Sequence, residues 1–141
     1  MLVSQKDRYA LRAVFELAKR NGRGPVKVAE IATAQSIPPR FLEVILNELK
    51  QTGFVESRRG KRGGYLLTAD PDELTIGDVM SFLEGPVEVA PANGSGGDGV
   101  LASVWDEVQK AISGIYQTTT FADLVEQERL KMGMRAPTYA I

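Results

Sequence analysis

The sequence contains neither cysteine nor histidine among its 141 residues. Without a thiol, the chain can form no disulfide, no thiolate nucleophile and no cysteine-ligated metal site. Without an imidazole, it lacks the commonest general base and metal ligand of enzymes. These two absences argue against an enzyme and predict a protein that uses no metal and no other cofactor.

Long apolar runs are also missing. No segment approaches the roughly 20 apolar residues of a membrane span, and the N-terminus lacks the pattern of a secretory signal peptide. The apolar fraction of 43% and the charged fraction of 25% are those of an ordinary soluble protein. We therefore expect a cytoplasmic protein with no membrane contact, built as one domain plus an appendage.

Acidic residues are scarce in the first half of the chain, and basic residues are scarce in the second. Residues 1–66 carry 13 Lys+Arg and 6 Asp+Glu, a net charge of +7, whereas residues 67–141 carry 4 and 12, a net charge of −8. The formal total of −1 hides this division. A basic half joined to an acidic half indicates that one part faces phosphate while the other has a different task.

The densest basic cluster lies in the segment 54–68, FVESRRGKRGGYLLT. Two β-type runs, Phe54–Ser57 and Tyr65–Thr68, flank a glycine-rich tip, and this arrangement predicts a hairpin. A solvated turn is one interpretation of the tip, and a nucleic-acid-binding wing is the other. A phosphate loop is discounted, because the required spacing and the following helix are absent. The cations that crowd the tip are Arg58, Arg59, Lys61 and Arg62.

Helical periodicity predicts three helices before the hairpin. The first follows Ser4 as N-cap, with Asp7 in a capping-box position. Its buried face is predicted to be Tyr9, Ala10, Ala13, Val14, Leu17 and Ala18. The second helix runs over residues 28–34, with an inward face of Val28, Ile31 and Ala32.

The third helix is predicted to begin at Pro39, since proline is well tolerated in a first helical turn, and to run to about Gln51. Its exposed face holds Arg40, Glu43 and Asn47. Its buried stripe is predicted to be Phe41, Leu42, Ile45, Leu46 and Leu49. Two short helices across a tight turn, followed by a basic hairpin, predict a winged helix-turn-helix.

The second half predicts a helix over 75–83, a flexible Gly/Pro-rich loop over 85–99 and a long helix from Val100. A small element, Thr120–Leu124, a polar helical segment and a loose tail follow. A heptad-like stripe on the long helix either packs on its own domain or, as we expect, pairs with a second copy. The stripe consists of Leu101, Trp105, Val108, Ile112 and Ile115.

The predicted fold class is therefore mainly α with a small β-wing, a winged helix-turn-helix plus a long C-terminal dimerisation helix. Residues 1–84 form the DNA-binding domain, residues 85–99 the flexible loop, and residues 100–141 the dimerisation helix and tail.

Five short motifs follow one another along the chain: Arg8-Tyr9-Ala10-Leu11-Arg12-Ala13, Phe41-Leu42-Glu43, Ser57–Tyr65, Thr75–Val79 and Leu83–Pro86. In their order and spacing, from Leu2 to about Val125, the chain resembles a family of bacterial repressors. This family includes the iron–sulfur cluster regulator IscR, the nitrite-sensitive repressor NsrR and the cysteine-metabolism repressor CymR. The resemblance implies a homodimer whose winged domain reads a pseudo-palindromic operator in double-stranded DNA and whose long helix dimerises.

The chain departs from this family at several positions. Asp7 stands where many members have glycine, and Pro38 and Pro39 replace more polar residues. Lys27 stands where Ser or Thr usually caps the second helix, so we expect another cap there. The cluster-binding members carry cysteines in the loop that corresponds to 85–99, where this chain has none. Because thiolates hold such clusters, we expect a protein without one.

The resemblance and the charge pattern together predict the DNA contacts. Phosphate contacts supply most of the affinity and base contacts the specificity. Arg59 matches the family's minor-groove arginine, Arg40 can reach a guanine edge, and Glu43 either accepts from cytosine N4 or is a solvated carboxylate. Arg58 and Arg62 either contact DNA or are solvated. The remaining predicted contacts, to phosphates and around the start of the third helix, are Ser4, Gln5, Lys6, Arg12, Lys61 and Pro39.

Within the family, the chain most resembles the cysteine-metabolism branch, which also lacks the ligand cysteines and shares the 85–89 segment, GPVEV. That branch is linked to cysteine synthase as a partner. Tyr139 and the terminal Ile141 offer an aromatic and an apolar carboxylate of the kind that an amino-acid site can capture. A disordered tail is the alternative.

Three classes of function are open at this point. A DNA-binding repressor, of cysteine metabolism or of another pathway with a small-molecule effector, is favoured. A winged helix that has lost DNA binding and serves protein contacts is the second, and an enzyme is a distant third.

Overall fold

The structure, a computed structural model, describes residues 3–90 and 95–135 of the chain. In the described part, a two-stranded antiparallel sheet lies between the third and fourth helices. The strands are β1 Val55–Arg58 and β2 Gly64–Leu67, and the helices are α1 Gln5–Lys19, α2 Val28–Gln35, α3 Pro39–Lys50, α4 Ile76–Glu84, α5 Ser95–Asp98, α6 Leu101–Thr118 and α7 Phe121–Arg135. The predicted fold class, mainly α with a small β-wing on a helix-turn-helix, is confirmed.

Helices α1, α2 and α3 pack around one core. The hydroxyl of Ser4 accepts a hydrogen bond from the backbone N–H of Asp7 at 3.0 Å, and the Asp7 carboxylate accepts one from the Ser4 N–H at 3.2 Å. This is the predicted capping box at the start of α1. Burying a large aliphatic side chain contributes about 1.5–3 kcal/mol. The three helices place in the core Ala10, Ala13, Val14, Leu17, Ile31, Leu42, Ile45, Leu46 and Leu49.

The wing is attached to the helices on two sides. Strand β1 follows α3 directly, and its first residue, Val55, is buried opposite Leu67. On the other side, Tyr65 exchanges two backbone hydrogen bonds with Val26 in the α1–α2 connection, at 2.7 and 2.8 Å. The strands lie one residue closer to the tip than predicted, so the connection is limited to residues 59–63. The base of the wing is therefore fixed, and its tip extends beyond the core.

The chain returns to the same core after the wing. Thr75 caps α4 in a second capping box with Asp78, with hydrogen bonds of 3.1 and 3.0 Å. A β-bridge joins Thr75 to Thr120, and Phe121, the first residue of α7, is completely buried. Helix α7 then packs along α1. The separately predicted element at 120–124 and the polar segment after it form one helix, α7. The buried Phe121 packs the start of this helix against the core of the winged domain.

Two local predictions, the burial of Phe41 and the cap of α2, were wrong. Phe41 is 63% exposed, because the buried stripe of α3 is centred on Leu42, Ile45 and Leu46 and leaves Phe41 at its margin. The expected substitute cap of α2 is absent, since Lys27 occupies the N-cap position and makes no side-chain capping bond. The predicted loop 85–99 contains one helical turn, α5.

None of the helices in the described part of the chain combines the length and the apolarity that a membrane span requires.

Candidate nucleic-acid interface

A tight turn sets the orientation of α3 relative to α2. Ser36 ends α2 in the left-handed region, with φ of 51°, a conformation that few non-glycine residues adopt. Ile37 follows, and its side chain is buried while its N–H donates to the Ala32 carbonyl at 3.0 Å. Pro38 and Pro39 then start α3 as its N-cap and first helical residue. The turn therefore leads the chain from the core directly into a helix whose outer face is open to solvent.

The outer face of α3 combines charged, amide and apolar side chains. Arg40, Glu43 and Asn47 are exposed, as predicted from their spacing. Phe41 and Val44 are exposed beside them, at 63% and 58%. A recognition helix that enters the major groove presents such a face, with its N-terminal residues nearest to the base edges.

The wing brings its cations to the same side as the end of α3. Lys50, at the end of α3, donates from its ammonium to the Ser57 hydroxyl in β1 at 3.1 Å. Arg58 pairs with Glu56 at 3.1 Å, and both side chains are largely exposed. At the tip, Arg59, Lys61 and Arg62 are exposed and form no ion pair with any residue in the described ranges. Their mutual repulsion is relieved when an anion lies opposite.

The predicted phosphate contacts at the start of α1 are engaged within the protein. The Ser4 hydroxyl is used by the capping box, and the Gln5 amide donates to the Tyr9 hydroxyl at 2.9 Å. Lys6 pairs with Glu48 of α3 at 2.8 Å, which raises the pKa of Lys6 through the hydrogen bond to that carboxylate. Exposed pairs of this kind contribute about 0–1 kcal/mol. A phosphate can therefore replace Glu48 as the partner of Lys6 at little cost.

Arg12 lies further along α1 and faces α2. Its Nε donates to the Gln35 side chain at 3.4 Å, and its guanidinium lies 5.5 Å from the centre of the Tyr9 ring. These contacts hold Arg12 beside the α2 end of the helix-turn-helix. Ser4, Gln5, Lys6 and Arg12 thus lie along one helix and its cap, but only Lys6 is linked directly to α3.

A buried carboxylate fixes the mutual position of α1 and α2. Glu16 is 3% exposed and accepts hydrogen bonds from Arg20 at 2.7 Å and from Gln35 at 2.8 Å. Burial by itself raises the pKa of Glu16, but the hydrogen bonds from Arg20 and Gln35 and the charge of Lys19 outweigh it and leave that pKa lowered. The resulting stability is present above the ordinary glutamate pKa and is lost as pH falls through the lowered value.

A pair of carboxyl groups joins the start of α1 to the end of α4. Asp7 is 1% exposed. Its Oδ1 atom has no hydrogen-bond partner in the described part of the chain. A shared hydrogen bond with Asp7 and the negative charge of Asp7 raise the pKa of Glu84, burial adds to this, and Lys6 opposes it. A protonated Glu84 can therefore donate to the buried Oδ1. This link stabilises the fold at low pH and is lost as pH rises through the raised pKa of Glu84.

Helix α6 carries an apolar face that its own chain leaves uncovered. No residue of α6 is buried. Among its predicted dimerisation residues, Leu101, Trp105, Val108 and Ile115 are exposed and Ile112 is half-buried. Helix α6 packs against α4, where the main chain of Tyr116 lies over Gly77, and on the stripe Trp105 and Val108 remain 37% and 38% exposed. The predicted partner-binding residues Tyr139 and Ile141 lie outside the described residues.

Helix α3 is thus linked to the start of α1 through the Lys6–Glu48 pair and to strand β1 of the wing through the Lys50–Ser57 hydrogen bond. Sequence reasoning did not place Lys50 or Phe41 on this surface. Lys50 has no distinguishing pattern in the sequence, whereas the position of Phe41, one residue before the centre of the buried stripe, was a signal of marginal burial.

The residues present do not fit a metal cluster. The whole chain lacks cysteine, and thiolates are the ligands that hold iron–sulfur clusters. Over residues 3–90 and 95–135, no three His, Cys, Asp or Glu side chains come close enough to hold a metal ion.

The chain is similar to known proteins over most of its length. The family model described as Rrf2, iron-dependent transcriptional regulator, matches residues 3–127. The transcriptional regulator CymR of Bacillus subtilis is 35% identical over 127 residues, which cover 88% of this chain and 89% of CymR. The regulator IscR of Sodalis glossinidius is 35% identical over 135 residues, which cover 92% of this chain and 82% of IscR.

Two solved structures share its architecture. B. subtilis CymR, described as the global cysteine regulator of that organism, aligns with a TM-score of 0.82 at 32% identity, covering 90% of this chain and 98% of CymR. IscR of T. potens aligns with a TM-score of 0.75 at 34% identity, covering 91% of this chain and 88% of IscR. The chain therefore shares its winged helix-turn-helix architecture with CymR and IscR.

Proposed function

The chain belongs to the Rrf2 family of transcriptional regulators, and we propose that it is a repressor that binds a pseudo-palindromic DNA operator as a homodimer. As its relatives are regulators, it is a regulator and not an enzyme. Its place of action is then the cytoplasm, where the operator lies. The observation that carries the proposal is the cluster of unpaired wing-tip cations, Arg59, Lys61 and Arg62, beside the exposed face of α3.

Each part of this surface has a distinct role in the proposal. Lys6 and Lys61 contact phosphates and position the protein, since phosphate contacts carry no sequence information. Arg59 enters the minor groove, where a narrow and negative groove attracts a guanidinium. Arg40 and Glu43, one turn apart on α3, reach base edges in the major groove. The Lys50–Ser57 hydrogen bond holds the wing and α3 at a fixed separation, so both grooves are engaged together.

Replacing Arg59 by alanine tests the wing contact. We expect Arg59→Ala to weaken operator binding by about 1–3 kcal/mol, because the guanidinium is exposed and leaves no unpaired group in the free protein. The measurement is fluorescence anisotropy at fixed salt with a duplex selected from a random-sequence pool.

The matched control for the wing variant is Arg129→Ala on α7, whose guanidinium pairs with Glu126 at 2.6 Å. It removes the same charge from the protein without changing the wing. We expect less than a twofold effect from it. An Arg59→Ala protein that binds as tightly as the parent chain would exclude Arg59 from the DNA contacts.

The proposal of a homodimer is supported by the uncovered apolar face of α6. Contiguous exposed apolar faces on soluble proteins mark interaction sites. A stripe with heptad-like spacing can pack against the same stripe on a second copy of the helix. Two winged domains related by a two-fold axis then require half-sites one or two helical turns apart.

We further propose that this regulator works without an iron–sulfur cluster and belongs to the control of cysteine metabolism. The absence of cysteine supports the first statement. The similarity to CymR, described as a global cysteine regulator, supports the second. A signal that reaches such a protein must come from a bound molecule or partner, and cysteine synthase is the partner that we propose, with Tyr139 and Ile141 inserted into its active site.

Truncation of the tail tests the partner. We expect the fluorescence of the pyridoxal phosphate in cysteine synthase to change saturably on titration with the full chain. The change should be lost when residues 139–141 are removed, since Tyr139 and Ile141 are the proposed contacts with the active site. Equal responses from the full and the shortened chain, or no response from either, would reject docking through the tail. DNA binding by the shortened chain should be unaffected.

A small-molecule effector is the alternative signal. A cavity of about 300 Å³ lies between α4 and α6, and its lining includes Gly77, Ser81 and Tyr116. A ligand there would contact both the winged domain and the proposed dimerisation helix, so it could change the separation of the two DNA-reading helices. The absence of any response to cysteine synthase would direct the search to this cavity.

A further inference from the structure

Phe41 and Val44 form an exposed apolar pair on the first turns of α3. They are 63% and 58% exposed, and neither belongs to the hydrophobic core or to the side chains that pack against it. Residues three apart on a helix lie side by side on its surface, so the phenyl ring and the valine methyl groups make one continuous patch. Burial on folding therefore does not account for two hydrophobic side chains at this position.

The surroundings of this patch are polar and of mixed charge, and they become basic toward the wing. Arg40 precedes it, Glu43 lies within it, and the Lys6–Glu48 pair borders it on the α1 side. The wing cations extend the same surface beyond Lys50. An occupant that covers both the patch and the wing must therefore be anionic at the wing and yet present apolar groups to the first turns of α3.

A second copy of the chain is a poor occupant. A stable protein interface buries roughly 800 Å² on each partner, whereas a phenylalanine buries about 150–250 Å² and a valine less. The apolar face of α6 is the larger surface for self-association.

The major groove of DNA meets both requirements. Its phosphates are anionic, and its only apolar group on a base edge is the C5-methyl of thymine. Three residues along a helix advance by about 4.5 Å, close to the roughly 3.4 Å step between base pairs. Phe41 and Val44 are therefore spaced to meet methyl groups on neighbouring base pairs.

We propose that Phe41 and Val44 are specificity-determining residues that select thymines through their methyl groups. This inference rests on the proposed function, because it requires α3 to lie in the major groove. Glu43 and Arg40, on the same turns, then read the base pairs next to these thymines. The half-site is thus recognised partly by apolar contact and not by hydrogen bonds alone.

Replacing thymine by uracil in the DNA tests this inference with the unaltered protein. A duplex selected from a random-sequence pool is synthesised with uracil at each thymine in turn, and binding is measured by fluorescence anisotropy at fixed salt. Loss of one contacted methyl group should weaken binding about fourfold, and loss of two about fifteenfold. Phe41→Ala and Val44→Ala should each lose the preference for thymine over uracil at one position, the one that the replaced side chain contacts, and keep it at the other.

Phe82→Ala is the matched control, since Phe82 is an exposed phenylalanine on α4, 42% accessible. It should retain the preference for thymine. Equal binding of thymine and uracil duplexes by the unaltered protein would overturn the inference while leaving DNA binding intact, as would a selected half-site without thymine. If no duplex is enriched at all, the proposed function itself fails.

Discussion

Gly64→Ala is expected to unfold the base of the wing and to lower the melting temperature by on the order of 10 °C. A Cβ added at Gly64 would overlap the Val26 carbonyl group, which is the partner of Tyr65 in the bridge between the wing and the α1–α2 connection. The atoms that this Cβ would meet belong to the backbone of Val26 and Lys27, so no flexible side chain can move aside. Overpacking of this kind costs about 1–3 kcal/mol or more, and each kcal/mol corresponds to roughly 3–4 °C for a chain of this size.

Gly64→Ala should also weaken DNA binding. Residues 59–63 keep their position only while β2 is held against Val26, so a displaced β2 moves the wing cations away from the minor groove. We expect operator binding to fall by at least as much as in Arg59→Ala.

Thermal denaturation followed by circular dichroism, together with anisotropy at fixed salt, measures both effects of Gly64→Ala. Gly133→Ala is its control, because Gly133 lies on α7 with open space where a methyl group would be added, and alanine is favoured over glycine in a helix by about 1 kcal/mol. A Gly64→Ala protein as stable as the parent would show that Val26 and Tyr65 can separate without cost.

The fold could be predicted from the sequence wherever the helical periodicity and the capping pattern agree with the burial of the side chains. The periodicity of α1 and α3 largely coincides with their buried faces, with Phe41 as an exception, and Ser4 forms the predicted capping box with Asp7. The bounds of the two strands lie one residue nearer the tip than predicted, and the Tyr65–Val26 bridge that attaches the wing joins segments far apart in the chain.

The candidate site was less accessible, because its electrostatics depend on tertiary contacts. The pairing of Lys6 with Glu48 crosses from α1 to α3, and the influence of Asp7 that raises the pKa of Glu84 crosses from α1 to α4. Neither pair has a signature in sequence spacing. Phe41 was assigned to the core on its hydrophobicity alone, although its neighbour Leu42 is the residue that faces inward.

Asp7 also shows how a departure from the family pattern is accommodated. A carboxylate at this buried position serves as the second half of the α1 cap, and its other oxygen is matched by Glu84 only when a proton is shared. The start of α1, which carries the predicted phosphate contacts, is therefore connected to the end of α4 by an interaction that strengthens as pH falls.

Trp105→Glu is expected to convert the proposed dimer to a monomer and to weaken operator binding by at least about 100-fold. Trp105 lies in the middle of the uncovered apolar face of α6. A buried tryptophan in an interface contributes about 2 kcal/mol or more, and a carboxylate in its place adds the cost of burying an unpaired charge. Two linked winged domains bind two half-sites with a high effective concentration, which a monomer loses.

The fold of the single chain should be unaffected by Trp105→Glu, because no residue of α6 is buried in it. Sedimentation velocity gives the oligomeric state, and anisotropy with a two-half-site duplex gives the affinity. Ser103→Glu introduces the same residue and the same charge on the opposite, polar face of α6, where Ser103 is exposed, and it should leave both measurements unchanged. A Trp105→Glu protein that remains dimeric would assign dimerisation to another surface. A monomeric variant that still binds the full operator tightly would instead show that one winged domain is sufficient for binding. The proposed requirement for a pseudo-palindromic site would then be wrong.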